Sequence, residues 1–416
     1  MRIGYACLTL GVRDTNFKTT ILKNASDENL LSIIKHNLDV LDKIIDYNID
    51  NNINLFRISS DIIPFGSSPV NLLKWWNIFE KKFISIGAKI NNAGMRVSMH
   101  PGQYTVLNSP NEDVVFRAIK DLEYHNRFLD SLNVNKEHKI ILHIGGVYGD
   151  KKSAIHRFIE NYKTLDSNIK QRLVIENDDK SYNIEDVLGI SKELNIPVIY
   201  DNLHNSVLPT DASKSDKYWI DKVRETWTKG HGPQKTHYSQ QDKDKRAGAH
   251  SFTIKLEDFM NFAIALDNDL DIMLEVKDKN LSAVKCINAR AVNNIEKLEL
   301  EWSKYKYTVL ENSPINYNNI RELLKDKKSY PVNQFYKLIE DSLEAEDNIG
   351  NSVNAAQHIW GYFKNLATEV EKRRFDKLLD QYQNGTGKKQ SIKNHLNKLA
   401  IKYNSEYLQD SYYFYI

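Results

Sequence analysis

Two rhythms of apolar and polar positions alternate from Arg2 to about Ser282. Short runs rich in Ile, Val and Leu have the pattern of strands buried on both faces. Longer stretches between them repeat their apolar residues every three or four positions, as an amphipathic helix does. The strand-like runs are RIGYAC (2–7), INLFRISS (53–60), RVSMH, KIILHIGG, RLVIEND, PVIYDNLH, QKTHYSQ and LDIMLEVKD. The first helix follows Asp27, an N-cap type of residue, through ENLLSIIKHNLDVLDKIIDYNID. A second is predicted from about Val70 to the helix-ending Asn92-Ala93-Gly94. Others begin near Pro110, Lys152, Asn183, Ser215, Leu256 and Ser282. Eight strands, each followed by a helix, predict an α/β fold closed into a (β/α)8 barrel. The alternative is a doubly wound open sheet, which usually has fewer repeats and one switch-point site.

After residue 300 the strand rhythm stops. WSKYKYTVLENSP is aromatic and mixed, and VNQFYKLIEDSLEA, GNSVNAAQHIWGYFKNLA and SIKNHLNKLAIKY all have helical period. The expected division is a barrel over 1–300 and an all-α C-terminal domain over 301–416. Within the latter, His358 and Trp360 are a candidate functional pair, with packing in an aromatic core the more common fate of such residues.

Composition narrows the partners only slightly. The 416 residues are 41% hydrophobic and 27% charged, and 57 basic against 55 acidic residues give a formal charge of +2. Binding to nucleic acid would need a local patch. Lys229, Lys235, Lys243, Lys245 and Arg246 form one candidate strip around the seventh strand, interrupted by Asp242 and Asp244. Two distant cysteines, Cys7 and Cys286, exclude a disulfide framework and a thiolate zinc site. No long apolar run and no signal-peptide pattern at the N-terminus predict a cytoplasmic protein without membrane contact.

Candidate chemistry collects at the ends of the strand-like runs. His100, His143, Glu176, Asp201 with His204, His237 and Glu275 come from six consecutive runs of a chain holding only 12 histidines. Any one such histidine is more often a hydrogen-bonded structural residue than a ligand. Together, at the carboxyl ends of parallel strands, they converge on one mouth and suggest a site for several divalent ions. Glu176, in a central strand, is the natural bridge between ions. Mixed imidazole and carboxylate ligands suit Mn²⁺, Zn²⁺ or Fe²⁺. Clustered ions serve phosphodiester hydrolysis, but a sugar isomerase on the same scaffold also uses two.

MHPGQYTVLNSP, LHIGGVYGDK, IENDDKSY, YDNLHN, KTHYS and GAHS resemble the UV damage endonucleases over about residues 1–295. The resemblance implies a barrel of the xylose isomerase-like type and double-stranded DNA bearing UV lesions as substrate. It implies metal-dependent cleavage immediately 5′ to the photoproduct, leaving a 3′-hydroxyl and a 5′-phosphate. It also implies two or three divalent ions, commonly Mn²⁺, held by His100, His143, Glu176, Asp201, His204, His237 and Glu275, with His250 at the metal–phosphate site. Gln103 and Tyr104 take the part of a wedge at the lesion, Tyr5 lies near the damaged bases, and Lys229 and Arg246 are candidate DNA contacts. Lys235, two residues before His237 and on the same side of its strand, is implied to be a carboxylated, anionic ligand. Its other reading is an ammonium contacting phosphate. Ser68 stands where several relatives carry a histidine, and Thr9 where some carry an asparagine. The segment from about Tyr305 to the C-terminus resembles a small helical domain of unknown function. The competing classes are an apurinic-site endonuclease or sugar isomerase on the same barrel, and a non-catalytic damaged-DNA binder, against which seven candidate ligands argue.

Overall fold

The computed structural model describes residues 1–291 and 294–416. Among them, eight parallel strands close into a barrel in sequence order: β1 (Arg2–Ala6), β2 (Leu55–Ile58), β3 (Arg96–Met99), β4 (Lys139–His143), β5 (Leu173–Glu176), β6 (Val198–Asp201), β7 (Lys235–Tyr238) and β8 (Asp271–Leu274). Closure is made by β1 against β8, with Ile3 opposite Ile272 and Tyr5 opposite Leu274. That pairing decides between the barrel and the open sheet. Strand residues such as Ile141, Val174 and Ile199 are fully buried and cluster together.

The intervening helices form where the period predicts them. Asp27–Asp50 begins at Ser26, whose hydroxyl accepts from the Asn29 amide at 3.3 Å, one residue before the expected cap. Its buried stripe runs through Leu30, Ile33, Ile34, Leu38, Leu41 and Ile45, the face an amphipathic helix lays on a barrel. The second helix starts later than Val70, as Trp75–Ile78 and Glu80–Asn92. The cause is Asn71, which donates to the Pro64 carbonyl at 2.8 Å and accepts from the Leu73 amide at 3.1 Å. Those bonds hold a turn where a helix would otherwise begin.

Two compact units divide the chain. The first comprises residues 1–9, 14–254 and 258–284, and the second residues 10–13, 255–257 and 285–416. The join expected near residue 300 falls inside one continuous helix, Ile295–Asn312. The second unit is helical and has its own core, including Tyr307, Ile359, Phe363, Phe375, Leu396 and Phe414. Trp360 packs there, its ring stacked on Phe375 at 4.4 Å, while His358 is exposed. No helix among the described residues is long and apolar enough to cross a membrane. Neither Cys7 nor Cys286 forms a disulfide.

Candidate metal centre at the barrel mouth

Strand register brings the carboxyl-end residues together. His143 lies opposite Glu176 across β4 and β5, and Asp201 opposite His237 across β6 and β7. His100 and Glu275 follow β3 and β8 by one residue. His204, expected within a strand-like run, sits instead in a short helix, Asn202–Val207, that starts as soon as β6 ends. Asp201 caps that helix, accepting from the His204 amide at 2.8 Å.

Two groups form, His100 with His143 and Glu176, and Glu176 with Asp201 and His237, each with its ligand atoms within 4.8 Å of one another. Glu176 is common to both. One of its oxygens accepts from His237 Nδ1 at 2.7 Å, and the other lies 3.3 Å from His100 Nε2 and 3.8 Å from His143 Nε2. His204 Nδ1 stands 3.8 Å from both Glu176 and Asp201. His250, on the loop after β7, reaches within 3.8 Å of Glu275.

Backbone contacts aim two of the rings. His204 Nδ1 lies 2.8 Å from the Asn177 carbonyl and His100 Nδ1 3.0 Å from the Pro101 carbonyl, which leaves each Nε2 for a ligand. Asn177 also exchanges two hydrogen bonds with the Asp201 backbone, at 2.9 and 3.1 Å, tying the ends of β5 and β6 together.

Burial raises the Asp201 pKa from its ordinary value. Burial also works to raise Glu176, but His237 and His100 outweigh it and hold it well below its usual value. Burial brings His143 down to about 4. It opposes the proton on His204 too, yet Asp201 and Glu176 prevail and lift that group to about 9. Several buried atoms find no hydrogen-bond partner: Glu176 Oε2, Asp201 Oδ2, His143 Nδ1, His237 Nε2 and Lys235 Nζ. Buried polar atoms are almost always paired, so a converging set of orphaned ligand atoms fits a metal centre.

Other candidate residues are placed less uniformly. Gln103 and Tyr104 stand exposed on the loop after β3, Tyr104 at 82%. The loop flanks a cavity of about 710 Å³ that Ser60, Asp61 and Tyr148 also line. Arg246, Lys243 and Lys245 are exposed on the loop after β7, toward the mouth. Lys229 is not among them. It lies in Lys229–His231, before β7 and hence at the opposite end of the barrel, where the His231 carbonyl accepts from Arg96 at 3.3 Å. Lys235 is fully buried, so the basic strip read from sequence is not one face. Tyr5 is also fully buried, its hydroxyl bonded to Thr9 at 2.7 Å and Asn48 at 2.9 Å. It offers no surface to a bound duplex.

Sequence reading missed the supports. Arg57, the one charged residue of β2, forms a partly buried ion pair with Glu275. A charge inside an otherwise apolar strand was the available signal. Ser60 donates to the His100 carbonyl at 2.6 Å and lies 2.9 Å from His125 Nε2, and Thr105 donates to Asp121 at 2.6 Å. Together these brace both ends of the loop that runs from His100 to Tyr104. His125 and Asp121 sit on the helix Glu112–Ser131, one turn apart, and gave no sign of the site in one dimension.

A barrel with a histidine- and carboxylate-lined mouth defines the class: a (β/α)8 protein with candidate metal-binding groups at the carboxyl ends of its strands. The family described as UV-endonuclease UvdE matches residues 1–303, and one of unknown function, DUF1722, matches 306–416. The UV DNA damage endonuclease of Clostridium perfringens (strain 13 / Type A) is 42% identical over 419 residues, covering 99% of each chain. That of Bacillus cereus (strain G9842) is 31% identical over 318 residues, covering 73% of this chain and 99% of its own. The crystal structure of SacUVDE superposes with a TM-score of 0.66 at 40% identity, covering 70% of this chain and 97% of that one. The chain belongs to the UV-endonuclease UvdE family.

Proposed function

We propose that the chain is a DNA-repair endonuclease that cuts double-stranded DNA immediately 5′ to a UV photoproduct, a cyclobutane dimer or a 6-4 photoproduct, leaving a 3′-hydroxyl and a 5′-phosphate. The observation that carries the reading is the pair of ligand groups sharing Glu176, with their buried atoms unpartnered. His100, His143, Glu176, Asp201, His204, His237 and Glu275 would hold two or three divalent ions, and Mn²⁺ suits that mixture of nitrogen and oxygen. Such ions supply activated water and charge neutralisation at phosphorus.

The remaining steps belong to side chains. Gln103 and Tyr104 enter the duplex from the rim, an amide and a ring replacing the pairing and stacking of displaced bases. Arg246 and His250, from the loop after β7, meet the phosphate. Arg57 fixes the carboxylate of Glu275. Lys235 carries a carboxyl group: its unprotonated Nζ bonds the carbon of CO₂ and a proton leaves. Burial first, and then the charge of Arg96, holds Lys235 far below the usual lysine pKa, which keeps the amine neutral for that step. Arg96 and Arg57 then favour the resulting anion.

The test is an end-labelled duplex with one photoproduct, incubated with the protein and Mn²⁺. A single nick 5′ to the lesion, with a 3′ end that a polymerase extends, is expected. Equal cutting of undamaged duplex, or a 3′ end that cannot be extended, would overturn the reading.

A further inference from the structure

The helical unit contains an open cavity of about 640 Å³ that the barrel chemistry does not use. Trp302 and Lys306 line it from the helix Ile295–Asn312, Tyr317 and Arg321 from Pro314–Leu323, and Tyr407 from Glu406–Gln409. A single residue, Ser313, separates the first two helices, which sets their walls at an angle around the opening. The Trp302 and Tyr317 rings lie 5.3 Å apart, inclined at 50°. Trp302 is only partly covered and packs on Tyr317, so part of its ring faces the opening.

Cations surround those rings. Lys306 stands 4.7 Å from the Tyr407 ring and 4.8 Å from Tyr307, and Arg321 stands 5.7 Å from Tyr317. Lys325 and Lys327, also on the lining, are tied to Glu322 and Glu299. Lys306 and Arg321 make no ion pair among the described residues, although both lie on a wall with aromatic neighbours. Burial lowers the Lys306 pKa, as expected of a half-covered cation that lacks a counter-ion. The lining therefore offers π faces and two uncommitted positive charges, in a volume within the usual range of small-molecule pockets.

We propose that this cavity binds one nucleotide unit of single-stranded DNA, the base against Trp302 and Tyr317 and the phosphate at Lys306 and Arg321. Aromatic faces accept any base and cations follow the backbone, so the site is indifferent to sequence. The choice of DNA over a free nucleotide rests on the endonuclease reading, under which displaced or nicked strand is the nucleic acid at hand.

The experiment uses full-length protein with metals chelated, so that nothing is cut. Fluorescein-labelled oligothymidylate is titrated by anisotropy against wild type, Trp302→Ala and Arg321→Gln. Each substitution is expected to weaken binding roughly five- to a hundredfold, the range for losing a base stack or a phosphate contact. Arg321 is exposed, so Arg321→Gln keeps the fold even if Trp302→Ala loosens it. Unchanged affinity in Arg321→Gln, with Trp302→Ala folded and also unchanged, overturns the proposal. A halogenated-uracil oligonucleotide, photo-crosslinked and mapped by mass spectrometry, should mark Trp302 or Tyr317; adducts confined to barrel residues overturn it. Thymidine monophosphate competing as well as the oligonucleotide, nucleotide for nucleotide, would make this a free-nucleotide site and overturn the assignment to DNA. Wild-type protein should cut photoproduct duplex when Mn²⁺ is restored. Failure of the wild type to cut would break the endonuclease reading and leave the crosslink result standing.

Discussion

Both ends of the barrel are lined with charge, and they differ in how that charge is satisfied. At the amino-terminal end Arg96 donates to Asp271 at 2.8 Å and to the carbonyls of Glu137 and His231 at 2.8 and 3.3 Å. Arg172 pairs with Asp130 at 2.7 Å and also meets the carbonyls of Val134 and His138. Lys139 donates to the Gln171 carbonyl at 2.8 Å. At the carboxyl-terminal end Glu176, Asp201, His143 and His237 each keep a buried atom with no partner. Burying a charge is costly at either end. The amino-terminal end offsets most of the cost with internal pairs, although Arg172 Nε is unpartnered; at the carboxyl-terminal end the unpartnered atoms fall on the two candidate ligand groups. The first arrangement supports the fold, and the second marks a candidate site.

The largest contrast should come from isosteric substitution at each end. Glu176→Gln removes the charge common to both ligand groups. Cleavage of photoproduct duplex should fall by about 10²–10³-fold or more, and elemental analysis should find at least one ion fewer. Thermal stability of the metal-free protein should change less than in the next variant, because the amide still accepts from His237 and Asp201 remains to hold the proton on His204. Asp271→Asn should do the reverse. It strands the buried Arg96 and should cost about 3–5 kcal/mol by denaturant unfolding, while the folded fraction keeps its metal and activity. Similar losses of stability from the two changes would erase the distinction.

How far this contrast could be read from the sequence follows from what each end depends on. The candidate ligands announced themselves because they occupy the same position in successive strands, and strand period carries that position directly into space. His143 opposite Glu176 is such a case. The supports did not, because they act across the fold: Arg57 reaches Glu275 over 218 residues, and Arg96 reaches Asp271 over 175. Lys229 was misplaced for a related reason. A loop before a strand and one after it look alike in one dimension, yet they lie at opposite ends of a barrel. Tyr5 was legible only as an aromatic at a strand end; that its hydroxyl is consumed by Thr9 and Asn48 needed the register and the first helix together.

Lys235 sits between the two regimes. It is buried like the amino-terminal cations but unpartnered like the metal ligands. If it is carboxylated, it belongs to the mouth. Lys235→Arg, which keeps a basic side chain of similar length but cannot form the carbamate, should then lower cleavage roughly 10- to 100-fold. Electron density at Nζ in metal-loaded crystals checks the modification directly. Wild-type activity in the variant, or a bare ammonium in the density, would assign the residue to the structural end. Acid denaturation before mass measurement strips a carbamate, so that method is uninformative here.

A smaller effect separates the rim from the mouth it surrounds. Replacing Gln103 and Tyr104 together by alanine should weaken binding to photoproduct duplex about tenfold, the scale of one lost base stack. Metal content should not change, since neither side chain faces the ligands. Equal affinity for damaged duplex before and after would remove the wedge. A parallel loss of metal would mean that the brace through Ser60 and Thr105 transmits the change to His100.

The smallest expected effect tests whether the amino-terminal end is as fully paid for as its hydrogen bonds suggest. Burial, reinforced by Arg96 and Arg172, brings Lys139 down to about 7 from an ordinary 10.5. Between those values the unfolded chain binds a proton that the folded chain lacks, so stability rises with pH across that window. Below about pH 7 the lysine is charged in both states, and the cost of holding it buried is present in full. Lys139→Met removes this term. It also leaves the Gln171 carbonyl without its donor, but that loss does not vary with pH, so the difference between the two stability curves isolates the titration. That difference should favour Lys139→Met most near neutrality and shift toward the wild type by at most about 1.4 kcal/mol per pH unit up to about pH 10. Denaturant unfolding of the metal-free proteins over this range measures it. A flat difference would show that Lys139 keeps its proton as readily folded as unfolded, and that the pairing at this end leaves no electrostatic cost behind.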